Sequence, residues 1–147
     1  MRVVREMEEI NLAACASILE SAYGLPPYDE IFSAGVALEY VRNKYVYCAG
    51  HSFVAEDDGG RIVGFILISL SSWAEGGQAV IEEIVVAPAQ QGKGYGKALM
   101  AAADKHFQSR GVHSVILWSR RDAPAHGFHE SNGFEDSDEW VIMHKKS

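Results

Sequence analysis

Apolar positions recur along this chain with two spacings, and the spacings divide it into short elements. Val3–Met7 reads as a first strand. From Ile10 to Tyr23 the apolar residues Ile10, Ala14, Ile18 and Ala22 fall at roughly helical spacing, and Gly24 is placed to stop that helix. "LPPYDE" breaks the chain. Asp29 is placed to cap a second helix, about Ile31 to Tyr45, whose apolar residues include Ile31, Val36, Leu38 and Val41. Phe53–Glu56 and Arg61–Leu70 are rich in β-branched and aromatic residues and flank the turn residues Asp57–Gly60, which predicts a hairpin. After a small loop, "AEGGQ", comes the strand Ala79–Val86, ended by Pro88. A helix follows from about Gly94 to Arg110, with Gly111 at its end. Val112–Trp118 is another strand. "APAHGFHESNGF" holds a short helix ending at Gly133, and Trp140–His144 is a last strand. The order β α α β β β α β α β predicts an α/β (α+β) mixed sheet with helices on both faces.

The 147 residues suit one domain, and an apolar content of 48% can build its core without cross-links. No repeat, low-complexity tract or linker divides the chain. Cys15 and Cys48 sit in apolar surroundings, so buried reduced thiols are expected, consistent with a cytoplasmic protein. The opening "MRVVREMEEIN" does not read as a signal peptide, and no apolar run approaches a membrane span. A formal net charge of −7 argues against nucleic acid as partner and suits a cationic one, such as an amine. The histidines at 51, 106, 113, 126 and 144 show no metal-ligand spacing, so no metal is expected.

"VIEEIVVAPAQQGKGYGKALM", Val80–Met100, carries the chemistry. Glycine costs backbone entropy, and three stand at positions 92, 94 and 96 between a strand and a helix start. The first amides of a helix have no carbonyl partners within it, and the helix dipole adds partial positive charge, so such a turn can cradle an anion. A P-loop would need G-x-x-x-x-G-K-[ST], but Ala98 follows Gly96-Lys97 and Gln91 stands at the first position. A dinucleotide fingerprint, G-x-G-x-x-G, fails at Lys97 or at Leu99.

What remains is Q-x-x-G-x-G, Gln91-Gly92-Lys93-Gly94-Tyr95-Gly96, after Ile84-Val85-Val86-Ala87-Pro88. This combination resembles the pyrophosphate loop of the GNAT superfamily of acetyl-CoA-dependent N-acetyltransferases. Asp122–Phe134, "DAPAHGFHESNGF", is similar to that family's late segment, N-x-x-A-x-x-F-Y-E-x-x-G-F. Ala125, Phe128, Glu130, Gly133 and Phe134 match; Asp122 replaces the usual asparagine and His129 the usual tyrosine.

The resemblance implies a mixed, mostly antiparallel sheet whose two parallel central strands, Ala79–Val86 and Val112–Trp118, splay apart around acetyl-CoA. It implies that the backbone of Ile84, Val85 and Val86 pairs with the pantetheine arm like an added strand. Gln91, Gly92, Lys93, Gly94, Tyr95, Gly96 and Lys97 would hold the pyrophosphate, an N–H near Val86 would stabilise the oxyanion, and Asp122 is carried over as a further cofactor contact. The amine would attack in a ternary complex without an acyl-enzyme. It must first lose a proton, and Glu82 and Glu83 are the candidate bases. Alternation sends them to opposite faces, and Glu82 shares parity with Ile84 and Val86, so Glu83 is favoured unless a bulge shifts the strand. His129 stands where the family's tyrosine is proposed as general acid, and a protonated imidazole could do that work.

Tyr28, near the "YGLPPYDE" break, and Trp118, at the end of the second splayed strand, are candidate acceptor contacts; the break could also present Asp29 or Glu30 to an amine. The leading expectation is acetyl transfer to a small cationic primary amine. A protein N-terminus or lysine as acceptor, another acyl-CoA as donor, and a non-catalytic acyl-CoA sensor or partner module stay open, as does a homodimer.

Overall fold

The computed structural model describes residues 3–147. Five strands form one sheet in sequence order: β1 (Val3–Glu6), β2 (Phe53–Glu56), β3 (Ile62–Trp73), β4 (Gly76–Val86) and β5 (Val112–Leu117). The first four pair antiparallel, and β4 pairs parallel to β5. Among the described residues four α-helices complete the fold: α1 (Leu12–Tyr23), α2 (Val36–Cys48), α3 (Tyr95–Ser109) and α4 (Pro124–Ser131).

Strand alternation divides the core between the two faces of the sheet. Phe65, Leu67, Val54 and Val85 point toward α1 and α2, where they meet Leu12, Cys15, Leu19, Ala37 and Val41. Ile66, Ile68, Ala55, Ala79 and Ile81 point the other way, onto Leu99, Met100, Ala103 and Phe107 of α3. The mixed sheet with helices on both faces is therefore as expected. Cys15 and Cys48 are free and buried, and burial pushes both thiols up to about 12.

Four boundaries differ from the expectation. The first helix begins at Leu12: Asn11 Oδ1 accepts from the Glu8 N–H at 2.8 Å and closes a 3-10 turn, which leaves Ile10 85% exposed. The second helix begins at Val36, not near Ile31, because the chain from Leu25 first folds back on the end of α1. Tyr28 N–H and Asp29 N–H both donate to Leu25 O, and Glu30 N–H donates to Tyr23 O at 2.8 Å. Gly35, in the left-handed region at φ 81°, then takes the cap position expected of Asp29. The loop "AEGGQ" shrinks to Ala74-Glu75, since Trp73 already faces Gly76 across the β3–β4 ladder.

The fourth difference is at the C-terminal end, where Trp140–His144 forms no strand. Asp136 is tied to Arg121 and His126, and Ser137 Oγ accepts from the N–H groups of Glu139 and Trp140, so the chain turns before the apolar run. Trp140, Val141, Ile142 and Met143 stay exposed.

Leu99 is fully buried and joins α3, which follows the glycine loop, to the sheet. Leu99→Ala is expected to cost about 2–5 kcal/mol, read as a lower urea midpoint at unchanged slope.

Candidate active site

The parallel ladder ends early. It runs from Gly77 opposite Val112 to Ile81 opposite Leu117, where β5 stops, while β4 continues for five more residues to Val86. Glu82–Val86 thus has no strand partner on the β5 side. A groove of about 650 Å³ opens along this bare edge. Ile84, Val85 and Val86 form one wall, Gly92, Gly94, Tyr95, Gly96 and Lys97 close one end, and Phe128 and His129 of α4 face them. Ala22, Tyr23, Leu25, Pro26 and Tyr28, from α1 and the break after it, line the rest.

The glycines have separable reasons. Gly92 at φ 77° and Gly94 at φ 90° hold backbone conformations that a side chain resists. Gly94 is the cap of α3, so its conformation aims the helix start. Gly96 is different: a Cβ there would come within 3.2 Å of Phe128 Cζ, so its bareness seats the α4 ring against α3. Gln91 Nε2 donates to Val86 O at 3.0 Å and ties the loop to the strand end. Lys93 does not line the groove, and its Nζ donates to Gln90 Oε1 at 3.2 Å.

A bulge decides the two glutamates. Leu67 pairs with Glu83 and Ile68 with Ile81, leaving Glu82 as the extra residue on β4. Parity flips there: Ala79 and Ile81 face α3, whereas Val85 faces α1 and α2. The expectation of opposite faces is corrected accordingly, because both carboxylates meet groups of the α1–α2 side. Glu82 pairs with Lys44 Nζ at 2.8 Å and accepts from Ser69 Oγ at 2.9 Å. Glu83 accepts from Tyr23 Oη at 2.8 Å and Tyr40 Oη at 2.7 Å. Burial raises the Glu83 carboxyl above its usual 4.5, against the lowering effect of the two phenols. Burial and the Glu83 charge in turn raise both phenols above their usual 10.

Tyr23 therefore touches the groove with one side and Glu83 with its hydroxyl. Its edge-to-face contact with Tyr28 at 4.7 Å fixes the ring. Neither Tyr23 nor Tyr40 was legible as a carboxylate partner, since they lie 60 and 43 residues from Glu83 on helices without a motif.

His129 is buried, with 6% of its surface exposed, between the rings of Phe128 and Phe134. Burial lowers its pKa from the usual 6.5, and His126 adds to the effect. Both effects disfavour the imidazolium form that the general-acid expectation invoked. The structure does not bring Asp122 or Trp118 to the groove: Asp122 pairs with Arg120 at 2.7 Å on the surface, and Trp118 is exposed beyond β5. Among the described residues no group of three or more His, Cys, Asp or Glu side chains is arranged to hold a metal ion.

A mixed sheet opened between two parallel strands, with a glycine loop and helix start at the end of the opening, defines an acyl-CoA-type transferase fold. Residues 13–134 match the acetyltransferase (GNAT) family, and the chain belongs to it. It is 31% identical over 135 residues to a glucosamine 6-phosphate N-acetyltransferase of Trypanosoma brucei brucei, covering 89% of this chain and 87% of that protein. It is 36% identical over 98 residues to a mycothiol acetyltransferase of Arthrobacter sp. (strain FB24), covering 64% of this chain. The chain spans only 30% of that longer protein. The fold matches the crystal structure of glucosamine-6-phosphate N-acetyltransferase from Arabidopsis thaliana with a TM-score of 0.70 at 21% identity, over 99% of this chain and 98% of that one.

A carboxyl raised in the folded state favours folding below its unfolded pKa and loses that contribution as pH climbs through the folded value. Glu83→Gln removes the titration. The wild-type stability minus that of the variant is therefore expected to fall as pH rises above 4.5 in urea titrations. A difference independent of pH would show that Glu83 titrates normally.

Proposed function

We propose that this chain transfers the acetyl group of acetyl-CoA to a primary amine by direct attack in a ternary complex. The observation that carries the reading is the unpaired edge of β4, Glu82–Val86, running straight into the glycine loop. Backbone groups of Ile84, Val85 and Val86 suit a pantetheine arm added as a short strand. The amides of Gln91–Lys97, with Lys93 and Lys97 adding charge, suit the pyrophosphate. An N–H near Val86 would stabilise the oxyanion, an effect worth about 3 kcal/mol for one well-aimed donor.

The amine enters between Tyr23, Tyr28, Leu25 and Pro26, which line the groove. Glu83 is the base, and it acts through Tyr23: the phenol passes its proton to the carboxylate as it accepts one from the amine. The raised carboxyl brings Glu83 nearer the strength that the task needs. Glu82, already held by Lys44 and Ser69, is structural. A compact acidic protein with this pocket suits a small cationic amine. The amino-sugar acceptor named for the Trypanosoma relative supports placing amino sugars first.

Thiol release from acetyl-CoA, with product mass, across amino sugars, polyamines, amino acids and peptides tests this reading. One class of amine is expected to be acetylated. Tight acetyl-CoA binding with no acceptor would favour a non-catalytic sensor instead. With an acceptor known, Glu83→Gln and Tyr23→Phe are each expected to lower kcat about 100-fold, the lower end for a positioned acid or base, and Glu82→Gln less than threefold. Unchanged kcat in both Glu83→Gln and Tyr23→Phe would overturn the base assignment. Gly94→Ala is expected to raise the Kd for CoA about tenfold or more, since its positive φ aims the helix start. An unchanged Kd would move the pyrophosphate elsewhere.

A further inference from the structure

His129 is a wall between two spaces. One is the groove; the other is a separate cavity of about 110 Å³ on the far side of α4, bounded also by Ser119 and by His126, Glu130 and Asp136. Two side-chain atoms in this wall, His129 Nδ1 and Ser119 Oγ, are buried with no hydrogen-bond partner among the described residues. Buried polar atoms are ordinarily paired, if not by protein then by ordered water. The cavity is several times larger than the roughly 15 Å³ one water needs, and polar side chains, Ser119, His126 and His129 among them, stand in its lining.

The cavity also communicates with solvent through charged groups. His126 Nε2 lies 2.8 Å from Asp136 Oδ1, and His126 Nδ1 lies 3.4 Å from Glu130 Oε1. Arg121 Nη1 pairs with Asp136 Oδ2 at 3.1 Å, and Glu135 completes the charged rim. Asp136 and Glu130 are exposed, so protons exchange freely at that end. Burial favours the neutral ring of His129, and a neutral imidazole carries one N–H and one lone pair. It can give a proton on one side only by regaining one on the other.

We propose that the small cavity is the proton supply of His129, with water held between Ser119 Oγ and His129 Nδ1 while Nε2–H serves the groove. This rests on the acetyl-transfer reading above. The amine nitrogen bonds to the acyl carbon, and the carbon–sulfur bond breaks with its electron pair on sulfur. Sulfur takes the Nε2 proton, and Nδ1 takes one from the cavity water, which is restored from solvent past His126 and Asp136. The proton lost by the amine leaves through Tyr23 and Glu83. After release of the thiol, Nε2 regains a proton from groove water and Nδ1 returns one to the cavity. Ser119 is thus a positioning residue: it holds the water that sets the tautomer.

The ring nitrogens of His129 can be read by 15N NMR on the full chain without substrate. The expected spectrum has Nε2 protonated and Nδ1 as a hydrogen-bonded acceptor; Ser119→Ala is expected to shift that tautomer balance and Ser119→Thr to restore it. In turnover, Ser119→Ala and His126→Gln are each expected to lower kcat about tenfold, a fraction of the usual general-acid contribution, and to raise the solvent isotope effect, with KM for acetyl-CoA within twofold. A His129 spectrum unchanged in Ser119→Ala, or an Nδ1–H tautomer in the wild type, overturns the proposal. So does a kcat loss that Ser119→Thr fails to rescue. Should no amine be acetylated, the enzymatic reading falls, and the NMR result still decides the tautomer.

Discussion

Everything at the candidate site follows from one unmade set of hydrogen bonds. The β4–β5 ladder stops at Ile81 and Leu117, while β4 goes on to Val86. Backbone N–H and C=O groups seek partners, and here a length of strand keeps one edge bare. The core shows why the edge stays open. Val85 packs toward α1 and α2, and Ile84 and Val86 pack toward α3, so both faces hold β4 in place while β5 is released. Gln91 covers one of the exposed carbonyls, that of Val86, and in doing so anchors the glycine loop at the mouth of the opening.

The bulge at Glu82 is the second device. It turns Glu83 toward α1 and α2, where two phenols receive it. A carboxylate held by two O–H donors keeps its position while burial weakens its acidity. His129 has the opposite bias, since burial disfavours its cation. Glu83 and His129 thus both sit in environments that favour the neutral form. Charge is kept out of the groove walls except at the loop end, where Lys97 stands.

Much of this was legible in the sequence, and the failures have physical causes. β2, β4 from Ala79 and β5 follow from β-branched runs, and α3 follows from its flanking glycines. Ile31 misled because it was counted among the apolar residues of the second helix, yet it is 95% exposed on a segment tied back to α1. Trp140–His144 misled similarly: strand-like composition does not supply a ladder partner. The three loop glycines were read together as allowing a close approach, but Gly96 serves Phe128, a contact between positions 32 residues apart that no local pattern encodes. Asp122 was carried over by position in a motif and Trp118 by its place at the end of a strand, and the surface pairing of Asp122 with Arg120 shows how little position alone determines. The register bulge, by contrast, was foreseeable only as a risk, since nothing in "VIEEIVV" distinguishes a bulged strand from a regular one.

The claim that the bare edge of β4 and its glycine loop together receive coenzyme A is tested most directly by backbone amide NMR during CoA titration. Perturbations concentrated at Ile84–Val86 and Gln91–Lys97, saturating together, are the expected result. Saturable binding that leaves those amides unmoved, or that perturbs β5 and the C-terminal segment instead, would contradict it.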